Sequence, residues 1–178
     1  WGGFIVGFDS DGPEIFAQQI DFIERAAIPD AMVGLLHAIP GTPLTDRLRA
    51  AGRLKPLESM DQFGRTNVAT LLPESVLLNG YKQILQTIYE PRQYLGRIAA
   101  MMHHRPQLVR RHGWLQPRKL LAGLRAIATQ GMFASYRKDY WGFLAEIGRR
   151  NPARLAEAIT RAAAGHHFIE YTRRIVIP

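Results

Sequence analysis

The chain has 178 residues, 47% of them hydrophobic, and a formal charge of +8, enough apolar content to build a core and to exclude disorder as the default. It contains no Cys, which excludes a disulfide framework and thiolate metal ligands. Charged residues interrupt each helical stretch before the roughly 18 to 20 apolar residues of a membrane span accumulate, so a cytoplasmic protein is expected, with peripheral contact to a membrane as the open alternative.

The run Gly3-Phe4-Ile5-Val6-Gly7-Phe8 is continuously apolar and predicts a strand buried on both faces of a parallel sheet, away from its edge. The opening WGGFIVGFDSDG has neither a basic leader nor a small-residue cleavage site and does not read as a signal peptide. Asp9 and Asp11 stand where the strand gives way to a helix, a place for carboxylates that cap N–H groups or accept from a substrate hydroxyl. Pro13 fits a first helical position, and Ile15, Phe16, Ile20, Ile23 and Ala27 recur at helical spacing up to the break at Ile28-Pro29-Asp30.

Ala31 to Leu36 repeats the composition of a buried strand, completing a β-α-β unit. His37 follows, able to reach a ligand or move a proton near neutral pH, although a hydrogen-bonded structural histidine is the commoner case. Pro40-Gly41-Thr42-Pro43 lacks the GxxxxGK[ST] spacing of a phosphate loop and reads as a strand-to-helix turn. Thr42 caps the next helix, Pro43 opens it and Gly52 ends it. One such unit leaves a parallel sheet incomplete, so further strands are expected upstream of Trp1 and the chain is expected to be a piece of a longer protein.

Gly52, Pro56, Gly64 and Pro73 punctuate an irregular connector over residues 56–72. Beyond it the pattern is helical to the end. Helices are predicted from Pro73-Glu74, from Pro91, over Pro117 to Phe133, over Ser135 to Arg149, and from Pro152 to about Arg174, with breaks at Asn151-Pro152 and Gly165. The fold class is therefore α/β followed by all-α, divided as residues 1–55, a connector, and a helical domain over 73–178.

Charge divides along the same line. Residues 1–80 hold 6 Lys/Arg against 10 Asp/Glu, whereas residues 81–178 hold 17 against 5, a net of −4 against +12. Arg110-Arg111-His112, Arg118-Lys119, Arg137-Lys138, Arg149-Arg150 and Arg173-Arg174, interleaved with Trp114, Tyr136, Tyr140 and Trp141, read first as a solvated basic face over an aromatic core. An anionic membrane surface is the next expectation, ahead of nucleic acid. His103-His104 and His166-His167 are adjacent pairs that diverge on a helix by about 100 degrees, unlike an i, i+4 metal pair, so no metal site is expected.

The order GGFIVGFDSDGPEIFAQQIDFIERAAI then AMVGLLHAIPGTPLTDRLRAAGRL resembles the last two β-α units of a radical S-adenosylmethionine (SAM) barrel of the cobalamin-binding group. LLNGYKQILQTIYEPRQYLGRI and NPARLAEAITRAAAGHHF are similar to the helical C-terminal extension that follows it. Gly3-x-Ile5-x-Gly7 resembles the family's GxIxGxxE element, with Ser10 in place of the final Glu. The resemblance implies a partial TIM-type barrel over residues 1–55 and cofactor contact, at its C-terminal mouth, from Ile5, Val6, Gly7, Phe8, Leu36, His37 and Ala38.

It also implies that the parent enzyme uses SAM, an iron–sulfur cluster and cobalamin to functionalise an unactivated carbon of a small or lipid-like molecule, by methylation or rearrangement. The missing barrel strands and a cobalamin-type domain would be its partners. The cluster motif CxxxCxxC is not in this sequence, so the chain is expected to be inactive alone, its catalytic residues unassigned. The alternative is a noncatalytic basic docking module for a membrane surface, nucleic acid or protein partner.

Overall fold

The computed structural model describes residues 1–56, 66–104 and 117–176. Residues 57–65 of the predicted connector, together with Arg110, Arg111, His112 and Trp114, lie outside the described residues, as do the side chains of Arg118 and Lys119.

Strands β1 (Gly2–Val6) and β2 (Ala31–Leu35) pair in parallel, Gly2 opposite Ala31 and Val6 opposite Leu35, and α1 (Ile15–Arg25) connects them. The two-residue period of a strand sends Val6, Ala31, Val33 and Leu35 into the core with Phe16 and Ile23 of α1. Gly3, Ile5, Met32 and Gly34 take the opposite face, where Ile5 is 48% and Met32 55% exposed. This corrects the expectation of strands buried on both faces and away from an edge. The apolar run is as read, but the described residues form a two-stranded sheet in which both strands are edges.

Helix α1 begins at Ile15, two residues after Pro13, because Gly12 to Glu14 form a turn in which Ile15 N–H donates to the Gly12 carbonyl (3.1 Å). Helix α2 (Pro43–Ala50) starts as read. Thr42 accepts from Thr45 N–H (3.3 Å), and the chain leaves the helix through Gly52 at φ +66°.

Helices α3 (Glu74–Ile88), α4 (Pro91–His104), α5 (Pro117–Ala128), α6 (Arg137–Arg150) and α7 (Leu155–Tyr171) account for most of the remainder. Helix α5 runs into a π-helical turn over Thr129–Phe133, and α7 into another over Thr172–Val176. The predicted starts at Pro73-Glu74, Pro91 and Pro117 and the break at Asn151-Pro152 agree with the structure. Gly165 does not break α7, which runs through it. A Cβ at Gly165 would lie 1.9 Å from Cε1 of Tyr94, so this glycine is a contact point between α7 and α4. Among the described residues no helix is long and apolar enough to cross a membrane.

One buried cluster runs from Val6 of β1 through α3 and α4 to Ile169 of α7, so the helices pack directly on the β-α-β unit. At its centre lies Arg97 of α4, 1% exposed. Its Nε donates to the Ile28 carbonyl just after α1 (3.0 Å), while its other nitrogens donate to the Glu24 carboxylate and to the Ile88 carbonyl at the end of α3. Burial raises the pKa of Glu24, with the Arg97 charge opposing the rise. The Tyr94 ring centroid lies 5.8 Å from the guanidinium carbon, within cation–π range.

Neighbouring polar groups bind the same elements. The Tyr89 hydroxyl, its pKa pushed up to about 12 chiefly by burial, donates to the Ala31 carbonyl of β2 (2.7 Å). Arg154, 8% exposed, donates to the Met102 carbonyl near the end of α4 (2.8 Å), a position where a cation also meets the negative end of the helix dipole.

Arg97→Met leaves a carboxylate and two carbonyls without their buried donor, a loss on the order of 3–5 kcal/mol. The melting temperature of the chain is expected to fall by about 10 °C; a change within about 2 °C would refute the central role of this arginine. Two glycine substitutions separate packing from helix propensity. Gly142→Ala in α6 meets open space and should stabilise by about 0.5–1 kcal/mol. Gly165→Ala carries the same helix gain but collides with Tyr94, and denaturant unfolding should show net destabilisation.

Candidate functional site

The residues singled out by sequence converge on the C-terminal ends of the two strands. At the end of β1, Gly7 adopts φ +106°, a conformation that L side chains rarely take. The Asp11 carboxylate closes this turn, its Oδ2 accepting from Gly7 N–H (2.8 Å) and Phe8 N–H (2.9 Å). Asp11 therefore holds the backbone of the glycine-rich element in place. Phe8 is 41% exposed, whereas the Val6 side chain is fully buried in the core. The Ile5 carbonyl accepts from Gln19 Nε2 (3.1 Å).

Asp9 engages a different partner. Arg53, just after α2, makes a bidentate pair with its carboxylate (2.7 and 3.0 Å), and Arg47 of α2 lies 3.9 Å away. The Arg53 hydrogen bond, reinforced by the charges of Arg53 and Arg47, holds the Asp9 carboxyl below its usual pKa. Nε of Arg53 donates to the Ala69 carbonyl (2.8 Å), so the guanidinium ties the end of β1 to the last part of the connector.

At the end of β2, His37 Nδ1 lies 2.9 Å from the Leu35 carbonyl. A carbonyl only accepts, so Nδ1 carries a proton in this contact. Leu36 and Ala38 are buried with Leu48 and Val68 in a second, smaller cluster. Asn67 bridges Ala38 in both directions, Oδ1 accepting from its N–H (2.9 Å) and Nδ2 donating to its carbonyl (2.9 Å). Thr66 Oγ1 donates to the Leu36 carbonyl.

Sequence reasoning missed Arg53, Thr66 and Asn67. They bind partners 29 to 44 residues away, and no local periodicity marks such contacts; Thr66 and Asn67 also lie in the stretch read as an irregular connector. The structure brings together Ile5, Gly7, Phe8, Asp9 and Asp11 on one strand end and Leu36, His37 and Ala38 on the next. The histidine pairs have other partners: His166 Nδ1 meets the Tyr136 hydroxyl (2.6 Å) and His103 Nε2 lies 3.3 Å from Glu146. Among the described residues no group of three or more His, Asp or Glu gathers as a metal site would.

The Asp9–Arg53 pair makes a pH-dependent prediction. Because the folded pKa of Asp9 is depressed, its contribution to stability is present above the unfolded value and is lost as pH falls through the folded one. Carboxyl chemical shifts followed by NMR should titrate below the usual aspartate range, and Arg53→Gln should move the transition upward. An unchanged transition in that variant would show that Arg53 does not hold the carboxylate.

With this geometry in hand, comparison with known proteins places the chain. A family described as a domain of unknown function (DUF4070) matches residues 42–177. The hopanoid C-2 methylase of Rhodopseudomonas palustris is 30% identical over 178 residues, covering 96% of this chain and 33% of that protein. An uncharacterised methyltransferase of Synechocystis sp. is 30% identical over 181 residues, covering 98% of this chain and 33% of that protein. The chain thus spans about a third of the length of the curated relatives it matches. No solved structure matches it. Since the match takes in α2 and every helix after it, the chain belongs to the DUF4070 family, a domain that sits at the C-terminus of cobalamin-binding radical SAM methylases.

Proposed function

We propose that the chain is the C-terminal part of a radical SAM methylase, that β1 and β2 with their helices are the last units of its barrel, and that their open face forms one wall of the SAM and substrate cavity. The observation that carries this is the composition of that face. Gly3 stands opposite Met32 and Ile5 opposite Gly34, so each large side chain faces a position without a Cβ. A Cβ added at Gly3 or Gly34 would meet no atom within 4 Å. A planar base can approach main chain at such positions, and Ile5 and Met32 supply apolar cover beside it.

The cofactors differ in fit. With no Cys in the chain, none of its residues offers a thiolate for an iron–sulfur cluster, so those ligands belong to another part of the enzyme. The adenine of SAM suits the open face, and Ile5, Gly7, Phe8 and His37 would hold it there. When bound, the cofactors supply the radical and methyl-transfer chemistry. The chain's own residues orient and exclude: Asp11 fixes the Gly7–Phe8 turn, Asn67 fixes Ala38, Arg53 keeps Asp9 ionised, and the Leu35 carbonyl orients the His37 ring through Nδ1.

The two relatives, a hopanoid C-2 methylase and an uncharacterised methyltransferase, support methylation over rearrangement, and the first of them supports a lipid-like substrate. The chain alone is inactive in this scheme, because the cluster lies elsewhere.

The test is Gly34→Val in the longer protein to which the chain is assigned. Valine suits a strand and meets open space on this side of the sheet, so folding and cluster content should be unchanged. SAM affinity measured by calorimetry should fall at least about tenfold, equivalent to about 1.4 kcal/mol. Unchanged affinity would exclude this face from the SAM cavity.

A further inference from the structure

We propose that α5, the π-helical turn after it and the start of α6 form a docking surface for an anionic phospholipid membrane. The first observation is an inversion of polarity. In the turn Thr129–Phe133, Gln130 is 2% exposed, whereas Met132 is 64% and Phe133 80% exposed. The turn thus turns its amide inward and its largest apolar side chains outward, an arrangement opposed to water as the surrounding medium. Such π-helical turns occur often at functional sites.

The apolar surface continues on both sides. Leu121 and Leu124 of α5 are exposed, and Ala128 and Met132 follow at steps of four, one stripe leading from the helix into the turn. On the other side the Trp141 indole donates to the Gly131 carbonyl (3.0 Å). A Cβ at Gly131 would lie 2.9 Å from the Trp141 ring, so this half-exposed indole is seated against the turn beside Met132 and Phe133.

Charge selects the occupant. Residues 117–141 carry Arg118, Lys119, Arg125, Arg137 and Lys138 against Asp139 alone, and Arg125, Arg137 and Lys138 are exposed. Arg173 adds another cation at the same place, its Nη1 donating to Ser135 Oγ (2.7 Å). An apolar tip of Phe, Met and Trp with a cationic rim suits the phospholipid interface, where the tip enters the acyl boundary and the cations meet anionic headgroups. A second copy of this face would bring like charges together, and nucleic acid would leave Met132 and Phe133 unused.

The experiment is co-sedimentation of the chain with vesicles of pure phosphatidylcholine and of equal parts phosphatidylcholine and phosphatidylglycerol. Binding to the anionic vesicles alone is expected, weakening as salt screens it. Arg137→Gln with Lys138→Gln should lower the partition coefficient about 25-fold, each cation contributing about fivefold. Met132→Ser with Phe133→Ser should lower it at least about tenfold. Both pairs alter exposed side chains, so thermal melting should be unchanged. Absence of binding, equal binding to neutral vesicles, or full binding after Met132→Ser with Phe133→Ser overturns the proposal. So does a dimer, seen by sedimentation velocity, that the same serine substitutions dissolve, because the face would then join two copies of the chain.

Discussion

A buried cation holds the two halves of this chain together. Arg97 reaches from α4 to the end of α1, through Glu24 and the Ile28 carbonyl, and to the end of α3, through the Ile88 carbonyl. Removing a guanidinium from water is costly, and the cost is met only where carboxylate and carbonyl oxygens are already in position. Two helix ends, those of α1 and α3, must therefore be correctly placed against the middle of α4 at once. Burial works against the charged form of Glu24 and the nearby cation works for it. The open face of the sheet depends on this, because α1 and α3 are the elements that fill the other face.

Much of the fold was legible because it follows local rules. Continuous apolar runs marked both strands, and Thr42-Pro43, Pro91, Pro117 and Asn151-Pro152 marked helix boundaries through their φ restrictions and capping chemistry. The misreadings share a cause. Gly165 looks like a break because glycine is a poor helix former, yet its lack of a Cβ is needed for Tyr94 to approach. Ile5 and Met32 look buried on composition, and only the arrangement in space shows them half-exposed.

The candidate site was legible in its glycines and strand ends, but not in the groups that fix them. Arg53, Thr66 and Asn67 act across long stretches of chain, and each is an ordinary polar residue in sequence. Charge was legible as a total and misleading as a map. Arg97 and Arg154 are buried and bound to helix-end carbonyls, and Arg161 pairs with Glu157 at 3.0 Å and approaches Asp30 at 3.8 Å. These cations belong to the interior architecture. Among the described residues, Arg125, Arg137 and Lys138 are exposed on α5 and α6, on either side of the exposed Phe133.

On the proposed function, the two strand ends and the open face between them meet SAM. Amide hydrogen exchange, measured by mass spectrometry on the longer protein with and without SAM, tests it most directly. Protection is expected at residues 3–8 and 34–38, with the α5–α6 region unchanged. Exchange unaltered at both strands, in a protein shown to bind SAM, would contradict it.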